Sequence, residues 1–197
     1  PTTYLIEEVA VPQGYALDKG VRKVKIEVGT ETMVKWENYP LASLEITKID
    51  ERTKKPISGV EFELLNAKKE SMGKFTTDNK GRIYLQGKLG QGTYYLKETK
   101  AKDGYIPNEE EKAIQLQWGK TTKVEFVNTP IFGQIEIHKI GSKNNQITGQ
   151  LDGDNLQGAE FTIYEKATGK EVTKVVTNSQ GIARTGELPY GEYIVKE

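Results

Sequence analysis

Three polar side chains in this sequence continue apolar stripes, and together they hold the materials for an amide-forming reaction. Alternate residues of a β-strand face the same side. On that parity Leu44 and Ile46 are followed by Lys48, Tyr94 and Leu96 by Glu98, and Val124 and Phe126 by Asn128. A lysine, a carboxyl and a carboxamide taken out of water must find partners or lose their charge. Burial destabilises charged forms, pushing an amine toward its nucleophilic neutral state and a carboxyl toward its protonated one. A protonated carboxyl polarises a neighbouring carboxamide and shuttles protons. Attack of the lysine Nζ on the asparagine carbon would expel ammonia and leave an isopeptide bond, with no cofactor and a single turnover. The same residues could instead form a buried lysine–glutamate ion pair hydrogen-bonded to the amide, with no covalent step. Parity alone favours that second arrangement, since buried pairs are common and side-chain amide crosslinks are rare.

Parts of the trio recur. Tyr4 and Ile6 lead to Glu8, Val34 and Trp36 to Asn38, Ile135 and Ile137 to Lys139, and Tyr193 and Val195 to Glu197. These belong to a repeat with a period near 90 residues. Glu8 and Asn38 recur 90 positions on as Glu98 and Asn128, and Gly14-Tyr15 recurs as Gly104-Tyr105. Lys48 recurs 91 positions on as Lys139; Gly59-Val60-Glu61-Phe62 recurs 99 positions on as Gly158-Ala159-Glu160-Phe161, and Thr77 to Gly81 recurs 100 positions on as Thr177 to Gly181. The chain thus divides into the C-terminal part of one repeat (1–40), a complete repeat (41–130) and the N-terminal part of a third (131–197). Lys48 to Gly59 spans 11 positions and Lys139 to Gly158 spans 19, so the third repeat carries eight extra residues within 141–157. Loop closure entropy grows slowly enough with length to tolerate them. Only the central repeat holds a full trio. Lys139 and Glu197 lack an asparagine, and Glu8 and Asn38 lack a lysine.

The elements that must position these residues read as strands. Val60–Leu64, Tyr94–Glu98 and Lys123–Asn128 alternate with period two, and Asp78-Asn79-Lys80-Gly81 and Gly90-Gln91-Gly92 supply turns. About seven short strands per repeat and no capped helix predict an all-β chain of tandem immunoglobulin-like β-sandwiches with Greek-key-like connections. Joints of a few residues around Pro40 and Pro130 favour a stiff rod.

Composition narrows the function. Among 197 residues, Lys+Arg and Asp+Glu both number 28, which argues against a nucleic-acid binder. There is no cysteine and one histidine, His138, so no disulfide, thiolate zinc site, catalytic cysteine or multi-histidine metal site is expected. No cofactor and no metal are expected either. No apolar run approaches the length of a membrane span. The chain opens without a signal-peptide pattern and begins and ends in strand-like sequence, which reads as a fragment with its signal and anchor elsewhere. Asp152-Gly153-Asp154-Asn155 hints at a calcium loop but lacks its glycine and closing glutamate. Glu109-Glu110-Glu111-Lys112 reads as an exposed charged turn, and His138 as a surface residue.

The ordered motifs Ile46-Thr47-Lys48-Ile49-Asp50, Pro56–Phe62, Thr77–Gly81, Gly92–Ala101, Gly104-Tyr105 and Val127-Asn128 resemble the Cna-B type (SpaA-like) domains of Gram-positive surface adhesins and pilins. The likeness covers essentially the whole chain. It implies a self-formed Lys–Asn isopeptide assisted by a glutamate, with the roles falling on Lys48, Asn128 and Glu98, and so shifts the reading from ion pair to crosslink. One departure is Ala101-Lys102-Asp103-Gly104-Tyr105, where the family commonly has Ala-Pro-x-Gly-Tyr. The resemblance implies a structural stalk module of an extracellular, cell-wall-anchored protein, not an enzyme on external substrates. Its partners are neighbouring repeats; pilin backbone and single-chain adhesin stay open. The alternative is a module binding a host matrix protein or a glycan, with the enlarged loop at 141–157 as its site. A third expectation is head-to-tail self-association, residues 1–40 of one copy completing 131–197 of another.

Overall fold

A computed structural model describes residues 2–197, and all of its regular elements are strands. Residues 2–40 contribute β1 (Thr2–Glu7) and β2 (Val21–Ile26). The central repeat contributes β3 (Ala42–Asp50), β4 (Glu61–Leu65), β5 (Ser71–Thr76), β6 (Arg82–Leu89), β7 (Gly92–Lys100), β8 (Glu111–Leu116) and β9 (Thr121–Asn128). The remainder contributes β10 (Phe132–Gly133), β11 (Glu136–His138), β12 (Glu160–Glu165), β13 (Glu171–Val176), β14 (Ile182–Arg184), β15 (Leu188–Pro189) and β16 (Tyr193–Lys196). Among the described residues no helix is long and apolar enough to cross a membrane.

The seven central strands form two sheets, ordered β6-β3-β9 and β5-β4-β7-β8. Period-two alternation builds each facing layer. Leu44 and Ile46 of β3 and Phe126 of β9 meet Phe62 and Leu64 of β4, Leu96 of β7 and Leu116 of β8, all essentially excluded from solvent. At roughly 25 cal/mol per Å² of apolar surface this layer is the main driving force for closing the sandwich. The first and last strands pair in parallel, from Ser43 opposite Thr121 to Asp50 opposite Asn128. Parallel neighbours need a crossover, and the whole of β4 to β8 serves as that connection.

The chain separates into two compact units. One runs to Lys102 and resumes over Pro107–Asn128; the other joins Asp103–Ile106 to Thr129–Glu197. In the first unit β1 and β2 pair antiparallel from Thr2 opposite Ile26 to Glu7 opposite Val21, as β7 and β8 do 90 residues on. Here the structure departs from the parity reading. Residues 31–39 form no strand, and Tyr4, Ile6 and Val34 are exposed. Their counterpart β9 takes its strand partner from β3, and residues 2–40 hold no equivalent of β3. A stripe is buried only when a second layer covers it.

In the second unit a small core of Phe161, Ile163 and Leu188 is packed by Ile135, Ile137 and Tyr193. A bridge between Ile140 and Asn155 closes its first loop, where Ile49 and Pro56 do so in the central sandwich. The first bridge spans 15 positions and the second 7, which locates the eight-residue enlargement inside the bridged loop.

Candidate functional site

Lys48 lies on the inward face of β3, in line with Leu44 and Ile46, and its side chain is wholly buried. Its main chain is held on both sides. The Lys48 N–H donates to the Gly81 carbonyl (2.7 Å), and the Lys48 carbonyl accepts the Ile57 N–H (2.9 Å). Gly81 closes the turn opened by Asp78, with φ of +67°, and a Cβ there would lie 2.6 Å from the Lys48 carbonyl oxygen. Only glycine fits, because both the conformation and the space exclude a side chain. The Thr-x-x-x-Gly motif between β5 and β6 is therefore also a seat for the lysine. The third repeat is built alike: Lys139 N–H donates to the Gly181 carbonyl (2.8 Å), and a Cβ on Gly181 would lie 2.5 Å from the Lys139 carbonyl oxygen.

Glu98 comes from β7 in the opposite sheet, and Asn128 ends β9 beside β3. Lys48 Nζ donates to Asn128 Oδ1 at 2.5 Å and lies 2.7 Å from Glu98 Oε2. Asn128 Nδ2 donates to Glu98 Oε1 at 2.9 Å. The glutamate thus spans the other two groups, one oxygen on the amine and the other on the amide nitrogen. Oε2 faces the amine without a well-aligned hydrogen bond. The Lys48 and Glu98 side chains are 0% and 1% exposed. The rings of Phe62 and Phe126 each centre 5.7 Å from Lys48 Nζ and wall the cluster from water.

Desolvation is the largest influence on Lys48 and pushes its amine below the ordinary lysine value; nearby Lys112 adds to this, while Glu98 opposes it. Desolvation wins because apolar walls replace the hydration shell of a compact ammonium. The geometry brings a depressed amine, a carboxamide and a bridging carboxyl into one dry site.

The parity reading missed one participant. The Asn108 N–H donates to Glu98 Oε1 (3.3 Å), and the Asn108 side chain donates to the Val127 carbonyl (3.2 Å). Asn108 sits in the β7–β8 connection, where no periodicity marks it. Its available signal was the shared offset, since Asp18 lies ten residues after Glu8 as Asn108 does after Glu98.

The partial trios also meet. Asn38 Nδ2 donates to Glu8 Oε2 at 2.7 Å, and Lys139 Nζ pairs with Glu197 Oε2 at 2.7 Å. These are open: Lys139 and Glu197 are 30% and 51% exposed. His138 is exposed and shares a hydrogen bond with Asn155 (2.9 Å). Asp154 caps its own loop, accepting the Leu151 N–H (2.7 Å). Trp118 stacks on Tyr39 with centroids 5.7 Å apart, and the Trp36 ring carries the Arg22 guanidinium 4.0 Å from its centroid.

The model of the SpaA family, a prealbumin-like fold domain, matches residues 42–130 and again 133–197. No curated protein matches. Among solved structures, the Bacillus anthracis TIE protein is 35% identical with a TM-score of 0.69, covering 99% of this chain and 36% of that one. This chain therefore spans about a third of that protein's length. A streptococcal ancillary pilin is 18% identical with a TM-score of 0.44, covering 98% of this chain and 65% of its own. BcpA, the major pilin subunit of Bacillus cereus, is 15% identical with a TM-score of 0.45, covering 78% and 87%.

Proposed function

We propose, because this chain belongs to the SpaA family of prealbumin-like domains, that it is a stalk segment of an extracellular, wall-anchored Gram-positive surface protein, whose central sandwich locks itself with a Lys48–Asn128 isopeptide bond. The observation that carries this reading is the carboxyl of Glu98, bridging Lys48 Nζ and Asn128 Nδ2 inside a dry core. The neutral amine of Lys48 attacks Asn128 Cγ. Glu98 takes a proton from the amine through Oε2 and gives one to Nδ2 through Oε1. The Cγ–Nδ2 bond breaks, ammonia leaves, and Nζ and Cγ are joined as an amide. Glu98 ends as it began, while the lysine is consumed. The reaction therefore runs once and makes the chain no enzyme toward external substrates.

Intact mass of the denatured chain tests this. A deficit of one ammonia from the sequence mass is expected, and it should be absent in Lys48→Ala and Glu98→Ala. A wild-type mass equal to that of the sequence leaves a buried ion pair and ends the crosslink reading.

The open Glu8–Asn38 and Lys139–Glu197 pairs support a second element. We read them as parts of two further sites of the same kind, completed by strands of adjoining repeats. Lys139 of one copy and Asn38 of a second are complementary in the same sense, so head-to-tail association is expected in concentrated solution. Size-exclusion chromatography giving only monomer over a wide concentration range would remove that element.

A further inference from the structure

We propose that Asn108 is a positioning residue for amide formation, acting through Glu98; this rests on the crosslink reading above. Glu98 has to present one oxygen to the amine and the other to the departing amide nitrogen. A carboxyl free to rotate about its terminal torsion would lose that division, since such torsions have broad wells. The Asn108 N–H holds Oε1 at 3.3 Å, on the oxygen that already faces Asn128 Nδ2 at 2.9 Å. Oε2 is thereby left to Lys48 Nζ at 2.7 Å.

The Asn108 side chain fixes that N–H in place. Its Oδ1 accepts the Glu110 N–H at 2.9 Å, closing an Asx turn, and its Nδ2 donates to the Val127 carbonyl at 3.2 Å. The second bond ties the loop to β9 at the residue before Asn128. One side chain thus couples the carrier of the carboxyl to the carrier of the carboxamide.

The first repeat repeats the device independently. Asp18 N–H donates to Glu8 Oε2 at 2.9 Å, the oxygen that also takes Asn38 Nδ2 at 2.7 Å. Asp18 Oδ1 accepts the Gly20 N–H at 2.9 Å, so the Asx turn is kept. Aspartate cannot supply the amide donor, and its other oxygen takes Arg22 at 3.2 Å. The shared part is the turn and its N–H on the glutamate. That part separates a positioning role from loop packing in general.

The test follows ammonia loss by intact mass in chains made by cell-free synthesis and quenched into denaturant over time. Asn108→Ala should fold cooperatively yet react about tenfold more slowly, the scale of one well-placed hydrogen bond. Asn108→Asp, which keeps the turn acceptor, should come back to within about threefold of wild type. If Asn108→Ala does not fold, Asn108→Ser, with a weaker turn acceptor, takes its place in the comparison. An Ala or Ser variant at the wild-type rate, or an Asp variant as slow as Ala, overturns the proposal while leaving the crosslink standing. A wild-type chain that loses no ammonia overturns both.

Discussion

Removing both charges of the trio at once separates a covalent tie from an ion pair by the sign of the result. In Lys48→Met with Glu98→Gln, methionine follows the lysine stem between the Phe62 and Phe126 rings, and glutamine keeps an acceptor for the Asn128 and Asn108 donors. If the native chain holds only a buried ion pair, removing both charges together at similar volume costs little, since hydrophobic replacement of such pairs is often neutral or stabilising by about 1–4 kcal/mol. If the chain is crosslinked, the variant loses a ring closed across 80 positions. The chain-entropy treatment of such a ring gives about 4.5 kcal/mol. No ammonium remains in the crosslinked site, so no relief of charge burial offsets that loss. For a domain near this size each kcal/mol moves the midpoint by about 4–8 °C, so the central sandwich should melt about 20–35 °C lower. Calorimetry of both chains, with intact masses taken on the same samples, reads the difference. A double variant melting at or above wild type refutes the ring-closure reasoning.

The site also has a pH signature. In the unreacted chain, desolvation holds Lys48 below the ordinary lysine value, so the unfolded state binds more protons between that lowered value and the ordinary one. Stability of the unreacted fold, and the neutral-amine fraction, should rise with pH through that window. The rate of ammonia loss after refolding unreacted chain should rise with them and level off before a free lysine titrates; a flat or falling profile contradicts this. At the lysine seat, Gly81→Ala places a Cβ 2.6 Å from the Lys48 carbonyl oxygen and 2.8 Å from Pro56. Left-handed strain alone costs about 1–3 kcal/mol, and the clash adds to it by displacing Lys48. Gly59→Ala, with φ of +79° but open space around it, is the control. Thermal melting and the crosslinked fraction should both fall further for Gly81→Ala, and equal losses would deny the seat its role.

Much of the site was legible in the sequence because strand parity is a strong local rule. Lys48, Glu98 and Asn128 each extend an apolar stripe, and a stripe that ends in a charge has few places to go. The same rule fails at Tyr4, Ile6 and Val34, which have inward parity yet stand exposed. Parity assigns a face; burial needs a second layer, and residues 2–40 hold none. Asn108 was not legible because it works largely through its backbone, from a connection with no period. Nor does composition mark the division after Lys102. There Gly104 and Ile106 bond to the segment flanking Pro130: the Ile131 N–H donates to the Gly104 carbonyl (2.8 Å) and the Ile106 N–H to the Thr129 carbonyl (2.9 Å). Gly14 and Ala16 grip Leu41 and Tyr39 in the same way.

The parallel pairing of β3 and β9 has a mechanical consequence. Because the strands run the same way, the chain enters the central sandwich at Ala42 and leaves at Asn128 from opposite ends of one ladder. Tension on the two ends shears that ladder along its length, loading its hydrogen bonds together instead of unzipping them singly. Were Lys48 joined to Asn128 as proposed, the load would run along β3 from Ala42 to Lys48, cross one amide and exit. The 79 residues between them would then carry no tension. At about 3.4 Å each, roughly 270 Å of contour length would be withheld from extension. A fibre of such units would respond to a pull as a nearly inextensible cord.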